Sequence, residues 1–152
     1  MAKFSFNGMD EISASFEQIA KLSDEDKLSV IRPAAQLLLE RQRDKLISLF
    51  RQVTGVLAKS LSIDERVDDD GVSAYISPKG KHPGSSTGKR KGKRRSNGKY
   101  SGTNAEIAYI LEYGSPRISA THWLENANEE AEEDVIAAQQ AAWNALLDKK
   151  GL

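Results

Sequence analysis

The chain has no cysteine, which excludes a disulfide framework, thiolate metal ligands and a cysteine nucleophile together, and is compatible with a reducing compartment. Histidine is nearly as scarce. His82 and His122 are the two, far apart in sequence, and His82 has no neighbouring carboxylates. A metal centre needs several converging ligands at defined spacing, and none is visible. No stretch approaches the ~20 apolar residues that cross a bilayer. The opening Met1-Ala-Lys-Phe-Ser-Phe also lacks the apolar core of a secretory signal. Together these predict a chain made and used in a cytosol, with no membrane partner. An excess of either charge is missing too, Lys+Arg 22 standing against Asp+Glu 22. With 39% apolar residues among 152, neither a disordered nor a membrane class is indicated, and the length suits one domain over 1–152.

The balanced total conceals a segregation. From Gly71 through Ala105 there is no acidic residue, while Lys79, Lys81, Lys89, Arg90, Lys91, Lys93, Arg94, Arg95 and Lys99 all fall there. The opposite sign gathers at Glu125, Glu129, Glu130, Glu132, Glu133 and Asp134. Such asymmetry bears on partners and encounter rather than on fold.

Phe4 and Phe6 alternate with polar residues ahead of Asn7-Gly8, a short strand entering a turn. Ile12, Phe16 and Ile19 then recur at helical spacing after Asp10, predicting a short helix that ends near Leu22. Ser23-Asp24-Glu25-Asp26 caps the next helix and places negative charge in its first turn. That helix is expected from about Asp24 to about Val53. Its buried stripe is Ile31, Ala34, Ala35, Leu38, Leu46, Leu49, Phe50 and Val53, with Glu40, Arg41, Arg43, Asp44 and Lys45 mainly outside. Pro33 implies either a start near Arg32 or a kink. Thr54-Gly55 is expected to stop the helix. Strands follow through Leu57, Leu61 and Ile63, then Arg66-Val67 and Val72–Ile76, with Asp68-Asp69-Asp70-Gly71 as the hairpin turn.

Pro78 to Gly102 is a Gly/Ser/Lys/Arg tract with almost no apolar residue, so burial cannot offset its ordering entropy and a mobile basic loop at about 78–103 is predicted. Ala105 to Tyr113 is compatible with a strand or a short helix, broken by Gly114-Ser115-Pro116. After Thr121-His122-Trp123-Leu124 a last helix carries Ala127, Ala131, Val135, Ala138, Ala142, Leu146 and Leu147 and ends at Lys149-Lys150-Gly151.

Catalytic chemistry finds no support. Gly88 to Arg95 holds glycine and lysine without the spacing that cradles a nucleotide's phosphates. The run Glu129 to Asp134 has no accompanying pocket residues and reads as a solvated helix face. Trp123 and Trp143 read as core or interface aromatics, and His122 as a residue at a packed helix start. No catalytic residue, metal ligand or cofactor is assigned, and an enzyme is not expected. Clustered positive charge at Lys89, Arg90, Lys91, Lys93, Arg94 and Arg95 is open to three uses: docking on an acidic protein, nonspecific phosphate contact with DNA, or a plain solvated loop.

Two segments resemble signature regions of the phage tail-completion or neck family of long-tailed bacteriophages and prophages. Thr54-Gly55-Val56-Leu57-Ala58-Lys59-Ser60-Leu61 is similar to the family's Thr-Gly-x-Leu-x-x-Ser-Ile, with Gly55 at the helix stop and Leu57 in the core. Asn104 to Ser115 is similar to its stretch ending in Glu, an aromatic, Gly and a small residue, here Glu112, Tyr113 and Gly114. Where the family then has Ala-Arg-Pro-Phe-Leu, this chain has Ala120-Thr121-His122-Trp123-Leu124. The order of elements agrees as well, over nearly everything except the basic tract.

The resemblance implies an α+β domain, a small antiparallel sheet packed by one long helix and a C-terminal helix. It also implies a structural virion assembly protein at the neck, put together in the bacterial host cytoplasm. Such proteins form a homo-oligomeric ring, commonly a hexamer. One face of the ring meets the tail terminator or tail tube protein and the other the head-closure or connector protein, with DNA passing through the centre. The alternative from the residues alone is a small nonspecific nucleic-acid-binding protein acting through the basic tract.

Overall fold

The computed structural model describes residues 17, 19–50, 54–69, 71–81 and 103–151. The strand expected at Phe4 and Phe6 and the start of the short helix lie outside them. That helix's end is described: Glu17, Ile19 and Ala20 are helical and Leu22 is buried.

Helix α1 runs Asp24–Leu49. Ser23 adopts an extended backbone and its hydroxyl accepts the Asp26 N–H at 3.1 Å, while the Asp26 carboxylate accepts the Ser23 N–H at 3.3 Å. This reciprocal cap satisfies two of the donors that every helix start leaves open. The helix therefore begins at Asp24 and carries Pro33 in its interior, although Pro33 leaves the Ser29 carbonyl without its usual donor. Its buried residues are Leu28, Val30, Ala34, Ala35, Leu39, Gln42 and Leu46. Leu49, expected in that stripe, is exposed, because α1 ends there and the Phe50 N–H returns to the Leu46 carbonyl.

The chain then enters a second helix, α2, Thr54–Ser60. The expectations of a helix stop at Thr54-Gly55 and of strand from Leu57 are both corrected here. Gly55 lies in the first turn of α2, where a Cβ would meet nothing within 4 Å, so no close approach requires glycine. Leu57, Ala58 and Leu61 stand three and four residues apart, which is helical spacing, and all are buried. Leu57 does reach the core, with no measurable exposure.

Strands β1, Leu61–Asp68, and β2, Gly71–Pro78, pair antiparallel from Leu61↔Pro78 to Asp68↔Gly71, as the acidic turn predicts. Ala105–Tyr113, open between strand and helix in the sequence, lies in helix α3, Asn104–Tyr113, capped reciprocally by Thr103 and Glu106. Helix α4 is Trp123–Lys150 and closes on Gly151 at φ 73°, with Lys149 and Lys150 in its last turn.

The fold is α+β: a two-stranded antiparallel sheet packed against a long helix and a C-terminal helix. Leu39, Leu46, Leu57, Ala58, Leu61, Ala108 and Trp123 form the main core, with Ile63 and Ile76 of the hairpin packed on it. A second cluster, Leu22, Val30 and Leu146 with Ile19, Ala142 and Trp143, joins the start of α1 to the end of α4. Among the described residues no helix is long and apolar enough to cross a membrane.

Candidate functional site

The segments singled out by motif meet at the junction of α3 and α4. Gly114 ends α3 at φ 82°, and a Cβ there would stand 2.8 Å from the Ala120 nitrogen and 2.9 Å from the Ile118 oxygen. Both neighbours are backbone and cannot rotate away, so this glycine is required by close approach as well as by its dihedral. The chain reverses through paired Ser115–Ile118 hydrogen bonds. Thr121 then donates twice to the Leu111 carbonyl, from its N–H at 2.9 Å and its hydroxyl at 2.6 Å.

Glu112 completes the junction. Its side chain is buried, and its carboxylate accepts the N–H of Leu124 at 2.7 Å and of Glu125 at 3.3 Å, two of the donors that the start of α4 leaves open. The N-cap residue of α4, His122, supplies no side-chain cap and sits in the left-handed region at φ 47°, ψ 38°. Glu112 therefore does from α3 what a local cap does elsewhere, with its charge at the positive end of the helix dipole. Beside it the Trp123 indole, 2% exposed, donates to the Ala108 carbonyl at 3.2 Å. Leu124 is half-buried against the same core.

Glu112, His122 and Glu125 are the one group of ligand-type side chains among the described residues whose donor atoms lie within 4.8 Å of one another. They do not suit a cation. Both Glu112 oxygens are engaged by amides, in a helix-end potential that favours anions, and His122 Nδ1 stands 3.3 Å from Glu125 Oε2 at the surface.

Of the residues named from sequence, Leu57 and Trp123 share the core and Glu112, Gly114 and Leu124 share the junction. Thr54 opens α2, while Gly55 is exposed and takes no part. Lys89, Arg90, Lys91, Lys93, Arg94, Arg95 and His82 lie outside the described residues. The base of their tract is described. Lys81 pairs with Thr103, the Asn104 N–H donates to the Gly80 carbonyl at 3.0 Å, and the buried Asn104 amide donates to the Lys79 carbonyl at 2.6 Å. Residues 82–102 are thus joined to the fold at two adjacent points beside the start of α3. Lys79 itself pairs with Asp64 and, with the Ser77 hydroxyl, holds that carboxyl below its ordinary value.

On α4, Glu129, Glu132 and Glu133 are exposed, as a solvated face predicts. Two neighbours do more, Glu130 pairing with Lys45 and Asp134 with Arg41 to tie α4 to α1.

Sequence reasoning missed two features. Tyr109 and Tyr113 stand 64% exposed with ring centroids 4.8 Å apart, on a face of α3 they share with Ala105. Their spacing of four is the signal, legible only once this segment is read as helix. Gln42 is 3% exposed within α1, where a polar residue in an apolar stripe is the signal. Its Nε2 donates to Asn128 at 2.9 Å, and its Oε1 has no partner among the described residues. Compared with protein-family models, with curated proteins and with solved structures, this chain finds no match.

Proposed function

We propose that this protein is a non-enzymatic assembly protein of a tailed bacteriophage or prophage, completing the tail at its head-proximal end and joining it to the head as a ring around the DNA passage. The observation that carries this reading is the α3–α4 junction. The Glu112-Tyr113-Gly114 and Trp123-Leu124 segments resemble neck proteins in sequence, and all of them but the exposed Tyr113 take part in the contacts of the junction. Glu112 caps the last helix, Gly114 permits the reversal, and Trp123 fills the core beside Leu57.

The surfaces suit assembly. The paired Tyr109 and Tyr113 rings offer large apolar area at low entropic cost, the residue type enriched in protein interfaces. The acidic row on α4 and the basic tract are two different patches on one chain. A contact between unlike patches of identical subunits is head-to-tail, and head-to-tail contacts give a ring where the rotation between neighbours closes and a filament where it does not. In this reading one ring face meets the tail terminator or tube protein and the other the head-closure protein, and Lys89 to Arg95 contact an acidic neighbour or the DNA.

Negative-stain microscopy of tails made with and without the protein tests the role. Tails lacking it are expected to fail to join heads, and joining at normal yield without it would overturn the reading. Deletion of residues 82–102 addresses the alternative. Retained assembly together with a steep, sequence-independent and salt-sensitive loss of DNA binding would favour a nucleic-acid-binding protein instead.

A further inference from the structure

The hairpin has two outer edges, and the rest of the fold treats them differently. Lys79 donates its N–H to the Ser60 carbonyl at 2.9 Å. With the register Leu61↔Pro78, this turns the amides and carbonyls of Ser73, Tyr75 and Ser77 toward β1 and those of Val72, Ala74 and Ile76 away from it. The outer edge of β1 is covered where it starts, since the Arg43 guanidinium donates to the Leu61 carbonyl at 2.8 Å. The outer edge of β2 has no strand beside it among the described residues. An open edge is a template for pairing with another chain.

Beside that edge lies an apolar groove of about 350 Å³. Ala74, Tyr75 and Ile76 all line it, and because strand side chains alternate between faces, three consecutive residues border one space along the strand's edge rather than on a face. Ile31 and Leu38 of α1 form its floor, and Val135 and Gln139 of α4 its far wall. The Arg32–Glu65 ion pair and the Arg43–Leu61 bond lay the hairpin lengthwise on α1, so the groove runs with β2 rather than across it. From Ile31 to Gln42 it extends ~16 Å, about five residues of strand at ~3.3 Å each. At the Gln42 end, the Oε1 of that 3% exposed side chain has no donor among the described residues. A buried acceptor left open favours an occupant that brings an N–H. Glu132 falls between Asn128 and Val135 on the stripe of α4 that walls the groove and is exposed, with exposed Glu129 and Glu133 beside it, so the solvent rim is acidic.

We propose that this edge and groove receive an extended segment of a partner protein, apolar at alternate positions and basic between them, as a third strand beside β2. Its backbone groups meet those of Val72, Ala74 and Ile76, and its apolar side chains enter the groove over α1. An amide at its end donates to Gln42 Oε1, and its basic side chains lie along Glu132. A helix or a hydrocarbon ligand would cover the apolar floor but leave the strand edge and Gln42 unanswered, since a helix uses its own amides internally. The proposal is independent of the neck assignment and stands or falls on the isolated chain.

The probe is an end-blocked peptide of alternating valine and lysine, about nine residues long so as to exceed the groove, added to the full chain while amide exchange is followed by NMR. Saturable binding is expected, with exchange at Val72, Ala74 and Ile76 slowed roughly tenfold or more and Ser73 and Tyr75, already bonded to β1, little changed. Of two versions of the peptide, N-methylated at the valine or at the lysine amides, one blocks the edge that faces β2 and should bind roughly tenfold more weakly than the other. Gln42→Leu should weaken binding about fivefold. Ala74→Pro removes an outward N–H and spares the ladder to β1, so binding should be lost while the β1–β2 pairing persists. Binding without slowed exchange at those three amides would overturn the proposal, as would equal affinity for the two N-methylated peptides or no binding at all. Exchange already slowed at the three amides in the peptide-free chain would overturn it too, assigning the edge to a second copy if the slowing depends on protein concentration and to the chain itself if it does not.

Discussion

Removing the Glu112 carboxylate should unfasten the last helix from the motif that precedes it. Two hydrogen bonds are at stake, at 2.7 Å to Leu124 and 3.3 Å to Glu125, and α4 has no local side-chain cap to replace them. Bonds to a charged acceptor contribute ~1.5–3 kcal/mol each when well formed. The second is long and counts for less, and helix-cap replacements cost ~0.5–2 kcal/mol in general. Glu112→Ala is therefore expected to cost ~2–4 kcal/mol, with buried amides left unsatisfied. Glu112→Gln keeps an acceptor for Leu124 but turns an amide NH₂ toward the Glu125 N–H, so ~1–2 kcal/mol is expected. Urea unfolding followed by circular dichroism measures both. In a chain of this size each kcal/mol corresponds to ~2–4 °C, so the alanine variant should melt ~4–16 °C lower. An alanine variant within ~0.5 kcal/mol of the parent, the range of an ordinary surface change, would refute the capping argument.

Four other outcomes follow from the same structure. Gly114→Ala forces a Cβ to 2.8 Å from backbone at φ 82°, and a loss of ~2 kcal/mol or more is expected in the same assay. Trp123→Ala empties a site that is 2% exposed and should cost ~3–5 kcal/mol, whereas Trp123→Phe retains most of the packing and loses the bond to Ala108, ~1 kcal/mol. Asp26, held low chiefly by Lys150 and then Ser23, Asp64, held low by Lys79 and then Ser77, and Glu65, held low by Arg32, all have folded-state pKa values below their unfolded ones. Their contribution is complete above about pH 5 and is lost as pH falls through those folded values, so acid titration of stability should show its decline below pH ~4 and no loss from these groups on the alkaline side. Tyr109→Ser with Tyr113→Ser should leave the melting midpoint within ~2 °C of the parent yet reduce oligomer formation measured by mass photometry. A stable variant that still oligomerises normally would remove the tyrosine face from the proposed interface.

Where local chemistry and tertiary packing agree, the sequence is legible. The Ser23–Asp26 cap, the acidic hairpin turn and the Lys149-Lys150-Gly151 ending each contain their own hydrogen-bond solution, and each stands where the pattern places it. Thr54 to Leu61 misleads for a physical reason. Leu57, Leu61 and Ile63 satisfy a strand's alternation, but Leu57, Ala58 and Leu61 also satisfy a helix, and short apolar runs do not distinguish the two by period. Packing beneath α1 decides the matter by burying Leu57 and Ala58 together. Gly55 misleads similarly, since a glycine after an apolar stripe reads as a stop, whereas α1 has already ended at Leu49 without one.

The junction was legible as a set of residues and not as a mechanism. Glu112 sits beside Tyr113 in sequence, and nothing local says that one turns inward to cap a helix eleven residues on while the other faces solvent. That division comes from the reversal at Gly114, which brings Ala120 to His122 alongside the end of α3 and so carries the open amides of α4 to the buried carboxylate. The same geometry explains why His122 is tolerated at φ 47°. With Glu112 satisfying the amides from outside, the N-cap position is released from its usual demand for a Ser, Asp or Asn side chain in an extended backbone. Beyond its exposed contact with Glu125 and its N–H bond to the Glu112 carbonyl, His122 has no capping duty, so His122→Gly, which adopts that dihedral without strain, should hold or raise stability by up to ~1 kcal/mol, while His122→Val should lower it by ~1–2 kcal/mol. Equal stability of the glycine and valine variants would show that the left-handed turn at the head of α4 is not what the junction imposes.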